Sequence, residues 1–90
     1  MRFEWDAAKA EANFAKHGIS FADAVEVFED ASAVTRQDDS AAEERFVTIG
    51  LDAFARFLVV VYTWRNNRIR LISARRATRA ERRHYAQGRR

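Results

Sequence analysis

Phe57-Leu58-Val59-Val60-Val61-Tyr62, then Thr63-Trp64-Arg65, the pair Asn66-Asn67, and Arg68-Ile69-Arg70-Leu71-Ile72-Ser73-Ala74-Arg75 form the stretch on which the fold turns. The first six residues are apolar at every position. Neither face of such a segment can meet water, so 57–62 predicts a central strand covered on both sides. Asparagine tolerates positive φ, and Asn66-Asn67 therefore reads as a tight hairpin into a strand over 68–75. Upstream, strands are expected over 33–36 and 45–49, separated by the polar, acidic loop 37–44, with 50–55 as the next connection.

Further out lie helices with legible ends. Asp6 is an N-cap for a helix over 7–17, because its carboxylate can accept from free amides of the first turn. Ala7, Ala10 and Phe14 make its inner stripe, while Lys9, Asn13, Lys16 and His17 share a polar face. Gly18 ends it, as the residue that enters the left-handed region at least cost. Ser20 with Asp23 is a capping box for a second helix, with Phe21, Ala24, Val25 and Phe28 at i, i+3, i+4 and i+7 and a close over 29–32. Phe3-Glu4-Trp5 reads as a short first strand. Thr78 with Glu81 is another capping box, opening a basic C-terminal helix that runs to about Gln87 before Gly88. The order β-α-α-β-β-β-β-α implies an α+β fold with a mostly antiparallel sheet and a two-helix hairpin on one face.

The 90 residues make one domain, 1–90. A chain of this length buries about 60% of its unfolded surface, enough for a core without staples. With 48% hydrophobic residues it is too apolar for disorder, and with no cysteine it needs neither disulfides nor a thiolate metal site. The acidic start lacks the apolar run of a signal peptide, and no stretch approaches membrane-span length, so a soluble, cytoplasmic protein without membrane association is expected. The charge is segregated. Residues 65–90 hold ten arginines against one acid, whereas residues 1–64 hold six basic and twelve acidic side chains. Such a field draws in a polyanion, and arginine without lysine favours bidentate phosphate contact. RNA is the expected partner. A solvated basic face that only aids solubility is the plain alternative.

Spaced blocks along the chain resemble the BrnT toxins. Phe3-Glu4-Trp5-Asp6, Lys9, Asn13, Lys16-His17-Gly18, Phe21, Ala24, Val27-Phe28 and Asp30 match the family's start. Glu44-Arg45-Phe46, Ile49-Gly50, Val60-Val61-Tyr62-Thr63, 70–75, Glu81-Arg82-Arg83 and Tyr85 match the rest, so nearly the whole chain is covered in order. Trp64 and His84 depart from the usual pattern. The resemblance implies a RelE-like fold and an endoribonuclease toxin of a type II toxin–antitoxin pair that cleaves RNA and inhibits translation. It further implies neutralisation by a BrnA-like ribbon-helix-helix antitoxin, a 2:2 heterotetramer, and promoter DNA bound through the antitoxin so that the complex represses its own synthesis.

Metal-independent RNA cleavage must deprotonate a 2′-hydroxyl, stabilise the phosphorane and protonate the leaving 5′-oxygen. Arg75 is the first candidate, where the last strand meets the last helix, with Arg79 one turn in and Arg65 at the hairpin mouth. His17 is a candidate base, since imidazole titrates near neutrality, although a histidine before Gly18 also complements the helix dipole. Lys9 lies two turns earlier, about 80° round the helix, so both can border one cleft. Arg68, Arg70, Arg76, Arg82, Arg83 and Tyr85 are expected RNA contacts. Salt bridges to Glu43, Glu44 or the acidic first helices are the alternative for the arginines, and core packing for Tyr85. By strict alternation Arg68 and Arg70 share a strand face with Ile72 and Ala74. Trp5, Trp64 and Tyr62 are further aromatics, with Trp5 better placed for the core. No cofactor is implied, and His17 and His84 have no metal-ligand spacing. A non-catalytic nucleic-acid-binding module, or a degenerate toxin kept as an antitoxin partner, would use the same arginines.

Overall fold

The computed structural model describes residues 1–39 and 42–88. Arg89 and Arg90 of the basic segment, and residues 40 and 41 of the acidic loop, lie outside the described residues. In chain order the elements are β1 (Arg2–Glu4), α1 (Ala7–His17), α2 (Phe21–Ala24) continued by a 3-10 turn (Val25–Glu29), β2 (Val34–Asp38), β3 (Arg45–Leu51), β4 (Phe57–Arg65), β5 (Arg68–Arg76) and α3 (Arg79–Gly88). The expected α+β order holds. The sheet runs β1-β5-β4-β3-β2, with β1 parallel to β5 and every other pair antiparallel. The apolar β4 is central, as its composition demands.

Caps are where local chemistry places them. Asp6 accepts from the Lys9 amide at 3.0 Å, and Ser20 from the Asp23 amide at 3.1 Å. Gly18 adopts φ 72° and returns its N–H to the Phe14 carbonyl at 2.8 Å. The hairpin bends through Asn66 and Asn67, both at positive φ.

The second helix departs from its expected period. Its buried residues are Phe21, Ala24 and Val27, spaced by three, and the chain tightens into 3-10 geometry where Val27 must reach the sheet. Val27 lies on Gly50 of β3, where a Cβ would meet the Val27 Cβ and carbonyl oxygen at 3.2 Å. Glycine permits that approach.

One core layer, between the helical hairpin and the sheet, joins Ile19, Phe21, Ala24 and Val27 to Leu58, Val60, Tyr62, Ile69, Leu71 and Ala74. The other face carries a smaller layer of Val47, Ile49 and Val59 under Tyr85 of α3. Three expectations change here. Strand β1 is displaced by one residue, so Trp5 leaves the sheet and packs edge-on against Phe21. Phe14 is 56% exposed, and Asn13 rather than Phe14 is the inward residue of α1, at 8%. The reason is the edge of β5, which among the described residues has no strand partner beyond Arg70 because β1 ends at Glu4.

Asn13 closes that edge. Its amide nitrogen donates to the Ala74 carbonyl at 2.8 Å and to the Ile19 carbonyl at 3.1 Å, and its oxygen accepts from the Ala74 amide at 3.1 Å. Substitution Asn13→Leu fills the volume but strands three buried backbone groups, the Ala74 amide and the Ala74 and Ile19 carbonyls. It should cost about 2–4 kcal/mol and lower the melting temperature by at least about 10 °C; thermal unfolding followed by circular dichroism measures it.

Candidate functional site

Strands β4 and β5 are joined by a register shift. Val61 faces Ser73 while Tyr62 faces Leu71, so Ile72 is the extra residue of a β-bulge. Strict alternation would put Arg75 opposite to Arg68 and Arg70. The bulge reverses the phase: Arg68, Arg70, Ser73 and Arg75 pair with Arg65, Thr63, Val61 and Val59, all on the α3 face. Ala74 correspondingly joins Ile69 and Leu71 in the helical-hairpin core. The expected grouping of Ala74 with Arg68 and Arg70 is thereby corrected.

At the bulge, α1 and the edge of β5 enclose a shallow depression of about 260 Å³ bordered by Lys9, Asn13, Lys16, His17, Ile72 and Ser73. Lys9 and His17 are brought together there, as their spacing on the helix suggests. Lys16, from the same polar face, and Ser73, from the strand, complete the border. Neither was among the expected site residues. Lys9, Lys16 and His17 have no carboxylate partner among the described residues. Ser73 lies on β5 between Arg70 and Arg75, so two lysines and a histidine of α1 border a strand segment flanked by two guanidinium groups.

The arginines do not gather in one pocket. Arg65, Arg68 and Arg70 lie at the hairpin end of the sheet, and Arg75, Arg76, Arg79 and Arg82 at the α3 end. The separation from Arg70 to Arg75 is about 16 Å at the usual strand rise. Their ion pairs are also not those expected. Arg70 binds Glu4 at 2.9 Å and Arg68 approaches it at 3.6 Å, in place of the acidic helices or Glu44. Hydrogen bonding from Arg70 holds the Glu4 carboxyl below its usual range. Glu43 instead lies 3.7 Å from Arg45.

Arg75 forms a bidentate pair with Glu81, at 2.8 and 2.7 Å, and donates to the Arg76 carbonyl at 3.2 Å. Glu81 simultaneously accepts from the Thr78 amide at 2.8 Å, while its own amide donates to Thr78 Oγ1 at 3.2 Å. The capping box is thus also the carboxylate that aims Arg75, a role invisible in the local motif. The Arg75 hydrogen bond, aided by the Thr78 amide and opposed by burial, pulls the Glu81 carboxyl from 4.5 down to about 2. The same pair raises Arg75 above its ordinary value.

Arg65, Arg79 and Arg83 are exposed. Tyr85, expected among the RNA contacts, is instead 3% exposed, stacked edge-on against Phe57 with its hydroxyl donating to Asp30 Oδ2 at 2.8 Å. It has no ring surface to offer a base and anchors α3. Tyr62 is likewise buried, its hydroxyl 2.9 Å from Thr48 Oγ1, whereas Trp64 is exposed. Among the described residues no group of three His, Cys, Asp or Glu side chains is placed to hold a metal ion, and no helix is long and apolar enough to cross a membrane.

Fold and site together define a small α+β protein with a cation-bordered cleft at a bulged strand edge, suited to a polyanion. The family model described as the ribonuclease toxin BrnT of type II toxin–antitoxin systems matches residues 5–81, and the chain belongs to that family. The crystal structure of the Brucella abortus ribonuclease toxin BrnT superposes with a TM-score of 0.67 at 28% identity, covering 88% of this chain and 99% of that one. No curated protein sequence matches.

The Glu81 shift makes an acid-range prediction. Its folded value lies below its unfolded one, so the stabilisation is complete above pH 4.5 and disappears as pH falls towards 2. Solvent screening at the partly exposed Arg75 leaves about 1 kcal/mol. Glu81→Gln should melt lower than the parent at neutral pH, and the two melting curves should converge below pH 4.5. A gap that stays constant down to pH 2 would contradict the assignment.

Proposed function

We propose that this member of the ribonuclease toxin family cleaves RNA at the β5 edge, and that the whole 1–90 chain acts as one toxin domain. The observation that carries the reading is the border formed by Lys9, Lys16 and His17 on Ser73, between Arg70 and Arg75. The RNA phosphate lies over Ser73. Lys9 and Lys16 beside it have no carboxylate partner among the described residues, so the charge that grows on the phosphorane is met by ammonium groups not already neutralised. His17 takes the 2′-hydroxyl proton, and Lys9 stabilises the phosphorane or protonates the leaving 5′-oxygen. Arg75 reaches from one end, aimed by Glu81, and Arg65, Arg68 and Arg70 track the strand from the other. Arg79 and Arg83 extend the basic face along α3, and Arg76 and Arg82 along its end.

In this reading Lys9 and Lys16 supply the positive charge at the phosphate, with no metal ion taking part. Cleavage is therefore metal-independent, and it leaves a 2′,3′-cyclic phosphate on the upstream fragment. In the cell the outcome is cut RNA and inhibited translation in the cytoplasm. A BrnA-like ribbon-helix-helix antitoxin, in a 2:2 complex, covers the basic surface with an acidic segment and carries the complex to its own promoter.

A second reading has one observation in its favour. Arg68, Arg70 and Arg75 already have carboxylate partners, as suits a non-catalytic binder or a degenerate toxin.

Purified chain and labelled RNA separate the two. Cleavage should persist in EDTA. Lys9→Ala and His17→Asn should each lower the rate by about 100-fold, the usual contribution of positioned proton-transfer groups, with melting temperatures close to the parent's. A folded chain that binds RNA without cutting it would select the binder, and an unchanged rate in His17→Asn would remove that residue from the chemistry.

A further inference from the structure

The turn between β3 and β4 holds a feature that the cleft at Ser73 does not use. Phe54 is 68% exposed at its tip. A lone exposed phenylalanine needs no explanation, but this one stands on an unusually well-tied backbone. The Asp52 side chain is buried, and its carboxylate accepts from the Phe54 and Arg56 amides, both at 2.9 Å, and from Arg56 Nε at 2.8 Å. The Asp52 amide donates to the Arg56 carbonyl at 3.1 Å, the Ala53 amide to Glu26 Oε1 at 3.1 Å, and Ala55 is held at φ 61°. A non-glycine residue kept in the left-handed region marks a turn whose shape is over-determined by its surroundings.

Cations converge on one flank of this turn. Phe54, Arg56, Phe57, Arg76 and Arg82 border a depression of about 330 Å³ at the α3 end of the sheet. Arg56 is neutralised by Asp52 and Asp23, and its guanidinium lies 5.2 Å from the Phe54 ring centre. Arg82 is laid over Phe57 at 4.9 Å, which fixes its position. Neither Arg76 nor Arg82 has a carboxylate partner among the described residues. The opposite flank of the turn is acidic, bordered by Glu26, Glu29, Asp30 and Asp52.

We infer that this depression is a single-strand RNA subsite, in which a base stacks on Phe54 and its phosphate is held by Arg76 and Arg82. The inference rests on the RNA reading above and adds a flanking nucleotide to it. An exposed π-face beside cations is the arrangement that holds unpaired nucleotides without choosing among them. The tied turn lowers the entropic cost of stacking, because Phe54 needs no backbone ordering when the base arrives. The acidic flank repels phosphate and directs the strand to the arginine side. Arg76 lies three residues beyond Ser73, about 10 Å along β5, so one short oligonucleotide spans both places.

The test is binding of a fluorescein-labelled, 2′-O-methyl single strand of about twelve nucleotides, which cannot be cleaved through its 2′-oxygen, followed by anisotropy. Phe54→Ala should weaken binding about tenfold and Phe54→Trp should restore it. Replacing Arg76 and Arg82 by Gln should weaken binding and flatten the salt dependence by about one unit per arginine. An abasic strand of equal length should bind the parent and Phe54→Ala alike. Parent-like affinity in Phe54→Ala overturns the subsite while leaving RNA cleavage by the parent untouched. A parent that neither binds nor cuts RNA overturns both readings. Loss of antitoxin binding in Phe54→Ala, with RNA binding intact, overturns the subsite in favour of a protein contact.

Discussion

The open edge of β5 is the constraint around which this molecule is arranged. A strand edge left without a partner exposes amide and carbonyl groups that must be satisfied. Strand β1 covers only the first part of β5, since it ends opposite Arg70. Beyond that point the Asn13 side chain behaves as one residue of a missing strand, both donating to and accepting from Ala74. A third hydrogen bond, to the Ile19 carbonyl, ties the same amide to the segment after α1. Asparagine alone, among residues of that size, offers donor and acceptor together. By holding α1 on the strand edge, Asn13 also sets Lys9, Lys16 and His17 beside Ser73.

Charge is organised by the same economy of short connections. A row of arginines on one strand face would repel itself, and the structure interrupts it with carboxylates at both ends, Glu4 and Glu81. The bidentate Arg75–Glu81 pair does more than neutralise. It joins β5 to the first turn of α3, and Tyr85 fixes the same helix to Asp30. The helix that carries much of the basic charge is therefore anchored at two points by polar contacts and at a third by packing against Phe57. Lys9 and Lys16 of α1, in contrast, have no carboxylate partner among the described residues.

Sequence alone determined those features whose causes lie within a few residues of one another. The Asp6, Ser20 and Thr78–Glu81 caps, the left-handed Gly18, the Asn66-Asn67 hairpin and the apolar centre strand are all local or compositional, and the segregation of arginine is a property of composition itself. Tertiary structure decided what depends on partners far along the chain. Asn13 is inward because Ala74, 61 residues away, needs it, and no helical period reports that need. Arg75 shares a face with Arg68 and Arg70 because a bulge at Ile72 shifts the phase of β5, and phase is set by register against β4 rather than by alternation in one strand. Tyr85 is core because Asp30 and Phe57 meet it there. Short-range hydrogen bonding and side-chain character can be read in order along a chain. Which edge lies open, and which face a bulged strand presents, exist only once the strands have paired.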